Sequence, residues 1–176
     1  KISFTILSSP VRLNCSSAYK SVLSLCGGGS YYGILDSDDM LMDGAVSFVS
    51  SLYEKYPEIG YIWTQFQICD SSMVYKKRGI SKIPDSNKSF LDMGLKHAFS
   101  HWRTFSNRIN ISKVFRDGLK SAVDKDMGYN LEELGYGMFV DKECYKYREG
   151  VHGSITGNSK KTKKSWAEII NSVTKR

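Results

Sequence analysis

Three carboxylates, Asp36, Asp38 and Asp39, stand within four residues, directly after the apolar run Tyr31-Tyr32-Gly33-Ile34-Leu35. Like charges this close oppose one another's ionisation unless something positive sits among them, and a divalent cation is the usual solution. The run before them reads as a strand that stops at the acids. In an α/β sheet the crevice beyond such a strand end is where ligands bind. The plain alternative is a solvated turn that caps the following helix. A second acidic pair, Asp124 and Asp126, opens the stretch that ends at Gly135. Acids are favoured at a helix N-terminus by its dipole, so capping alone would account for either one. His97 and His101 are four residues apart. Zinc helices of that spacing carry a Glu beside the first His, and Ala98 stands there instead, so a metal pair is disfavoured.

The elements that would position these groups follow from the patterning. Lys1 to Leu7 has the β-branched and aromatic content of a strand, closed by Ser8-Ser9-Pro10. Asn14 to Ser17 offers an N-cap for a helix through Leu25, stopped by Gly27-Gly28-Gly29. Val46, Phe48, Val49, Leu52 and Tyr53 share one helical face, ended by Pro57, and Ile59 to Asp70 is the next strand. Met73 to Lys88 is polar and reads as loop or hairpin. Phe90 to Trp102 is expected to be helical, and Gly137 to Val140 a short final strand. After a basic linker, Asn158 to Lys164, the residues Trp166, Ile169, Ile170 and Val173 make one face of a terminal helix.

A chain of 176 residues suits one domain with its own core, and 41% hydrophobic against 24% charged residues is globular rather than disordered composition. No apolar run approaches a membrane span. The formal charge of +7 pulls toward anionic partners, but much of the excess sits in the tail. There it could reach an acidic membrane surface or a diphosphate. A nucleic-acid binder should present a coherent basic face with stacking aromatics, whereas the strongest cluster here is acidic, so no nucleic-acid partner is expected. Cys15, Cys26, Cys69 and Cys144 form no C-x-x-C pair, which argues for reduced thiols in a cytoplasmic protein. The chain begins at Lys1 without Met or signal peptide, so Lys1 is not expected to be the natural start.

Four segments together resemble the nucleotide-sugar glycosyltransferases of family 2. Leu35-Asp36-Ser37-Asp38-Asp39 is similar to the family's Leu-Asp-x-Asp-Asp strand end, and Ser100-His101-Trp102-Arg103-Thr104-Phe105 to its His-containing segment below the donor sugar. Asp124-Lys125-Asp126-Met127 resembles its Asp-x-Asp segment. Tyr147-Arg148-Glu149-Gly150-Val151-His152-Gly153-Ser154 resembles its Tyr-Arg-x-His-x-x-Ser loop, with one extra residue before the His.

The resemblance implies a GT-A α/β fold, a Rossmann-like mixed sheet flanked by helices, as a single domain over residues 1–156. Residues 157–176 would then be a basic linker and amphipathic helix. It implies a metal-dependent, inverting transfer of a hexose from a nucleotide sugar, most plausibly a UDP-hexose, to a glycan, lipid-linked or protein acceptor. Mn²⁺ or Mg²⁺ would be held by Asp38 and Asp36, with His152 as a further ligand. Asp36, Asp39, Lys20 and Arg148 would meet the nucleotide or its diphosphate, Lys20 with Asn14 and Ala18 in the family's segment before the acidic strand. Asp124 or Asp126 would be the general base, the register favouring Asp124. The alternative is an inactive nucleotide-sugar-binding module. The family's opening strand-helix-strand portion, which grips the base, has no counterpart here. Either Lys1 to Pro10 is a compressed substitute for it or such a portion precedes Lys1.

Overall fold

The computed structural model describes residues 5–25, 28–81, 89–93, 99–119, 121–150 and 159–173. Twelve elements follow in the order α1 (Cys15–Leu25), β1 (Tyr31–Gly33), β2 (Met40–Leu41), α2 (Ala45–Lys55), β3 (Ile59–Cys69), β4 (Tyr75–Arg78), α3 (Phe90–Met93), β5 (Arg103–Ser106), α4 (Ile111–Val114), α5 (Val123–Leu134), β6 (Tyr136–Arg148) and α6 (Ser159–Val173). The sheet order is β1-β5-β3-β6-β2, with β4 also paired to β3. Only β3 and β6 run parallel; the other pairings are antiparallel. The mixed α/β sheet of the sequence expectation is therefore present.

β3 is the axis of the sheet because nearly every residue of it is buried, as a strand covered on both faces requires. Its side chains alternate between two cores. Tyr61 and Trp63 enter a core with Phe105, Met127, Leu131, Ile169 and Val173, which brings in α5 and α6, while Cys15, Tyr19 and Leu23 of α1 pack on its margin. Ile62 and Phe66 enter the other core with Ala45, Val49 and Tyr53 of α2. Each fully buried side chain of this size contributes about 1.5–3 kcal/mol.

Asn14 caps α1 as its type suggests, its Oδ1 accepting from Ser17 N at 2.9 Å. The expected α2 helix and β3 strand are in place, and Met73 to Arg78 forms the hairpin onto β3. Elsewhere the structure differs. Residues 5–9 are irregular, and Ile6, 91% exposed, finds no sheet edge to pair with; residues 1–4 lie outside the described set. The helix beginning at Phe90 is described only to Met93, and Arg103 to Ser106 is a fully buried strand between β1 and β3. The expected helix is not continued over Phe99 to Trp102, which are irregular and lead directly into β5; residues 94–98 lie outside the described set. β6 is thirteen residues long rather than four, and it pairs along most of β3. Register shifts opposite Thr64 to Phe66 insert extra residues into β6, which breaks the alternation that would have marked it as a strand. Lys160 to Lys164 lie inside α6. That helix buries Ile169 and Val173, and Ser165 Oγ accepts from Ser121 Oγ at 2.9 Å. No helix among the described residues is long and apolar enough to cross a membrane.

Gly33 is among the glycines fixed by close packing. A Cβ on Gly33 would lie 2.5 Å from Cζ2 of the buried Trp102 ring. Trp102 is itself held by Thr64, whose Oγ1 accepts from Trp102 N at 3.0 Å and whose N–H donates to Trp102 O at 3.2 Å. Gly33→Ala is therefore expected to cost about 1–3 kcal/mol through overpacking. Gly29→Ala, whose Cβ would meet nothing closer than 3.6 Å, should be near neutral. Urea midpoints of the two variants check this, and equal midpoints would refute the packing argument.

Candidate active site

The acidic residues form a β-turn in which Asp39 N donates to Asp36 O at 3.1 Å. The chain reaches this turn from β1, where Ile34 N still donates to Arg103 O on β5 at 3.1 Å. It leaves on β2, which pairs with Tyr145 and Lys146 of β6. The turn thus bridges from the β5 side of the sheet to the β6 side.

Its three carboxylates have different surroundings. Asp38 is exposed. Asp36 is half-buried: Oδ1 accepts from Tyr19 Oη of α1 at 2.7 Å, and Oδ2 lies 3.5 Å from Arg103 Nη2. Asp39 is buried, and both its oxygens are used within the protein. Oδ2 accepts from Tyr145 Oη at 2.7 Å and Oδ1 from the Arg148 backbone N at 2.7 Å. Burial pushes the Asp39 carboxyl above its usual range, these two donors pull it back, and Asp38 and Asp36 push it up again.

Arg103 is the cation among these acids. It is 5% exposed, and the Nη2 that approaches Asp36 also lies 3.1 Å from His101 Nδ1. A guanidinium only donates, so Nδ1 accepts and the neutral ring carries its proton on Nε2. Burial, and then the Arg103 charge, hold His101 well below the usual imidazole range. Donor atoms of Asp36, Asp39 and His101 lie within 4.8 Å of one another, close enough to surround an ion. With Nδ1 taken by Arg103 and Nε2 protonated, the imidazole offers no lone pair, so the oxygens are the usable donors. Carboxylate oxygens beside an exposed third acid fit a hard cation such as Mg²⁺ or Mn²⁺.

The Cys15 thiol, at the start of α1, connects this turn to α5. Burial raises its pKa, a hydrogen bond with Tyr19 lowers it, and the charges of Asp36, Arg103 and Asp124 all act on it. The half-buried Asp124 carboxylate and Asp36 thus both act on this thiol.

No family model matches the chain. Chondroitin synthase of Escherichia coli is 29% identical to it over 145 residues, 82% of this chain. The crystal structure of residues 1–349 of S. aureus TarS matches with a TM-score of 0.62 and 13% identity. That match covers 91% of this chain and 44% of the TarS chain, and it shows the fold. In sequence the chain is similar to a chondroitin synthase, and in fold to the TarS structure. It spans 20% of the length of the chondroitin synthase.

Within this fold the residues singled out from sequence are spread unevenly. Asp36, Asp38 and Asp39 share one turn, and Asp124 lies in the first turn of α5, its charge reaching Cys15 as that of Asp36 does. Arg148 meets the turn through its backbone, while its Nε donates to Met73 Sδ at 3.1 Å. Lys20 of α1 forms an ion pair with Asp117 at 2.7 Å. Asp126 is buried against Arg116 Nη2 at 2.6 Å, with Asn130 Nδ2 donating to its other oxygen at 3.1 Å. His97 and His152 lie outside the described residues.

Arg103, Tyr19 and Tyr145 emerge only from the structure as parts of the site. Arg103 did leave a signal: an arginine inside the apolar segment Trp102-Arg103-Thr104-Phe105 is a charge that burial must compensate.

Proposed function

We propose that the chain catalyses metal-dependent, inverting transfer of a hexose from a UDP-sugar to an acceptor hydroxyl. Asp36 and Asp38 would hold the divalent cation and Asp124 would act as general base. The observation that carries this reading is the acidic turn itself: an exposed Asp38 beside a half-buried Asp36. The cation, when bound, would stabilise the charge gathering on the leaving diphosphate. Asp36 is oriented by Tyr19 and Arg103, each of which contacts one of its carboxylate oxygens. Arg103 also supplies a buried positive charge next to where that diphosphate would sit, and buried charges act more strongly than exposed ones. A carboxylate at Asp124 would take the proton from the acceptor hydroxyl as it attacks the anomeric carbon, and single displacement inverts that carbon. The name of the matching relative, a chondroitin synthase, favours a growing glycan as the acceptor.

Calorimetric titration of UDP and UDP-glucose, with Mn²⁺ and with chelator, tests this on the wild type and on Asp38→Ala. Binding should require Mn²⁺. Asp38→Ala should weaken it by at least the roughly 10–100-fold that loss of a mere supporting group around a metal causes. Nucleotide binding that ignores both chelator and Asp38 would sink the metal-site reading.

A further inference from the structure

We propose that Tyr145 is a positioning residue, fastening the acidic turn to β6 so that the placement of Asp36 and Asp38 is set by that strand. This rests on the cation-binding role proposed above for those two acids. The Tyr145 hydroxyl makes two bonds to the turn at once. It donates to Asp39 Oδ2 at 2.7 Å and accepts from Asp36 N at 3.2 Å. The next anchor is three residues further along β6, where Arg148 N donates to Asp39 Oδ1 at 2.7 Å. Asp39 is thereby committed to holding the turn down, while the two more accessible acids are left to face a ligand.

The ring of Tyr145 is held as firmly as its hydroxyl. It is 0% exposed and stacks on His101 with centroids 4.6 Å apart and planes at 12°. His101 Nδ1 accepts from Arg103 Nη2, and that same nitrogen lies 3.5 Å from Asp36 Oδ2. The contacts therefore close a loop from Asp36 through Tyr145, His101 and Arg103 back to Asp36. A β-turn closed by its own single hydrogen bond would have several settings; one tied at both ends into this loop has one. Preorganised ligands bind a cation without a separate ordering cost.

Tyr145→Phe keeps the ring and its stacking and removes only the hydroxyl. Tyr53→Phe is the control. That hydroxyl is as deeply buried but bonds Thr104 Oγ1 at 3.0 Å and not the turn. Hydrogen exchange of the peptide spanning residues 34–41 should speed up by about tenfold in Tyr145→Phe, the order expected for loss of one buried partner. It should stay at the wild-type rate in Tyr53→Phe. Mn²⁺-dependent UDP affinity should fall by roughly 10–100-fold in Tyr145→Phe, as for other groups that orient metal ligands, and be unchanged in Tyr53→Phe. Unchanged exchange in Tyr145→Phe overturns the fastening whatever the nucleotide does. Faster exchange with unchanged affinity overturns the positioning role. Failure of the wild type to bind Mn²⁺ and UDP would count against the cation-binding reading, while the exchange comparison still decides whether Tyr145 fastens the turn.

Discussion

Asp124→Asn should lower turnover by about 10²–10⁴-fold, the range by which a positioned general base accelerates proton transfer. Donor affinity should stay within about twofold, because a base that acts only as the acceptor is deprotonated contributes to the transition state and not to ground-state binding. The substitution is nearly isosteric and falls on a half-buried residue in the first turn of α5. The change in helix-end charge there is worth at most about 1 kcal/mol, so a loss of rate would not be a loss of fold. Single-turnover rates with saturating UDP-sugar, together with titration of the donor, separate the two. A variant that keeps full rate would remove Asp124 from the mechanism. One that loses donor binding in parallel would move it to the donor side.

Asp126→Ala should do the opposite: cost stability and spare the chemistry of the molecules that remain folded. Asp126 is 1% exposed and sits in contact with Arg116, which is otherwise committed to the framework. Arg116 Nη1 donates to Glu168 O on α6 at 3.3 Å, and its carbonyl accepts from Ser16 Oγ on α1 at 2.7 Å. Asn130 Nδ2 bonds both Asp126 and Val114 O, which ties in α4. Removing the carboxylate leaves a guanidinium facing a polar hole where four helices meet. Breaking a buried ion pair from one side costs about 3–5 kcal/mol. Because Arg116 keeps some access to water, the low end, about 3 kcal/mol, is expected. Urea denaturation measures it, and a loss below about 1 kcal/mol would show that the pair is not a structural anchor. Two acids two residues apart, on the same first turn, are thus expected to fail in different assays.

That contrast marks where sequence reasoning ended. Both acids read alike along the chain, since charge and helix-end position are local properties and the two residues share them. Burial is not local. A helix advances about 100° per residue, so Asp126 points some 200° from Asp124, into the junction with α4 and α6. Only the packing of those helices says which acid meets Arg116. The same holds for Asp36, Asp38 and Asp39. Their spacing alone identified a charge cluster that needs a cation, because repulsion between neighbours in sequence does not depend on the fold. Which acid faces out and which is tied down was decided by β6, whose Tyr145 and Arg148 lie more than a hundred residues away.

The core helices and β3 were legible because apolar periodicity is written in consecutive residues: the α2 face at Val49 and Tyr53, and the unbroken run from Ile59 to Cys69. β5 and most of β6 were not. Arg103 to Ser106 is a strand because β1 and β3 leave a place for it, and β6 bends through bulges that erase its alternation. The sequence by itself determined the fold class, the acidic turn and the kind of chemistry such a turn can do. The tertiary structure alone decided the cation already present at Arg103, the neutral His101 beside it and the tyrosine that binds the turn to the sheet. These depend on contacts between residues far apart in the chain, which no local pattern records.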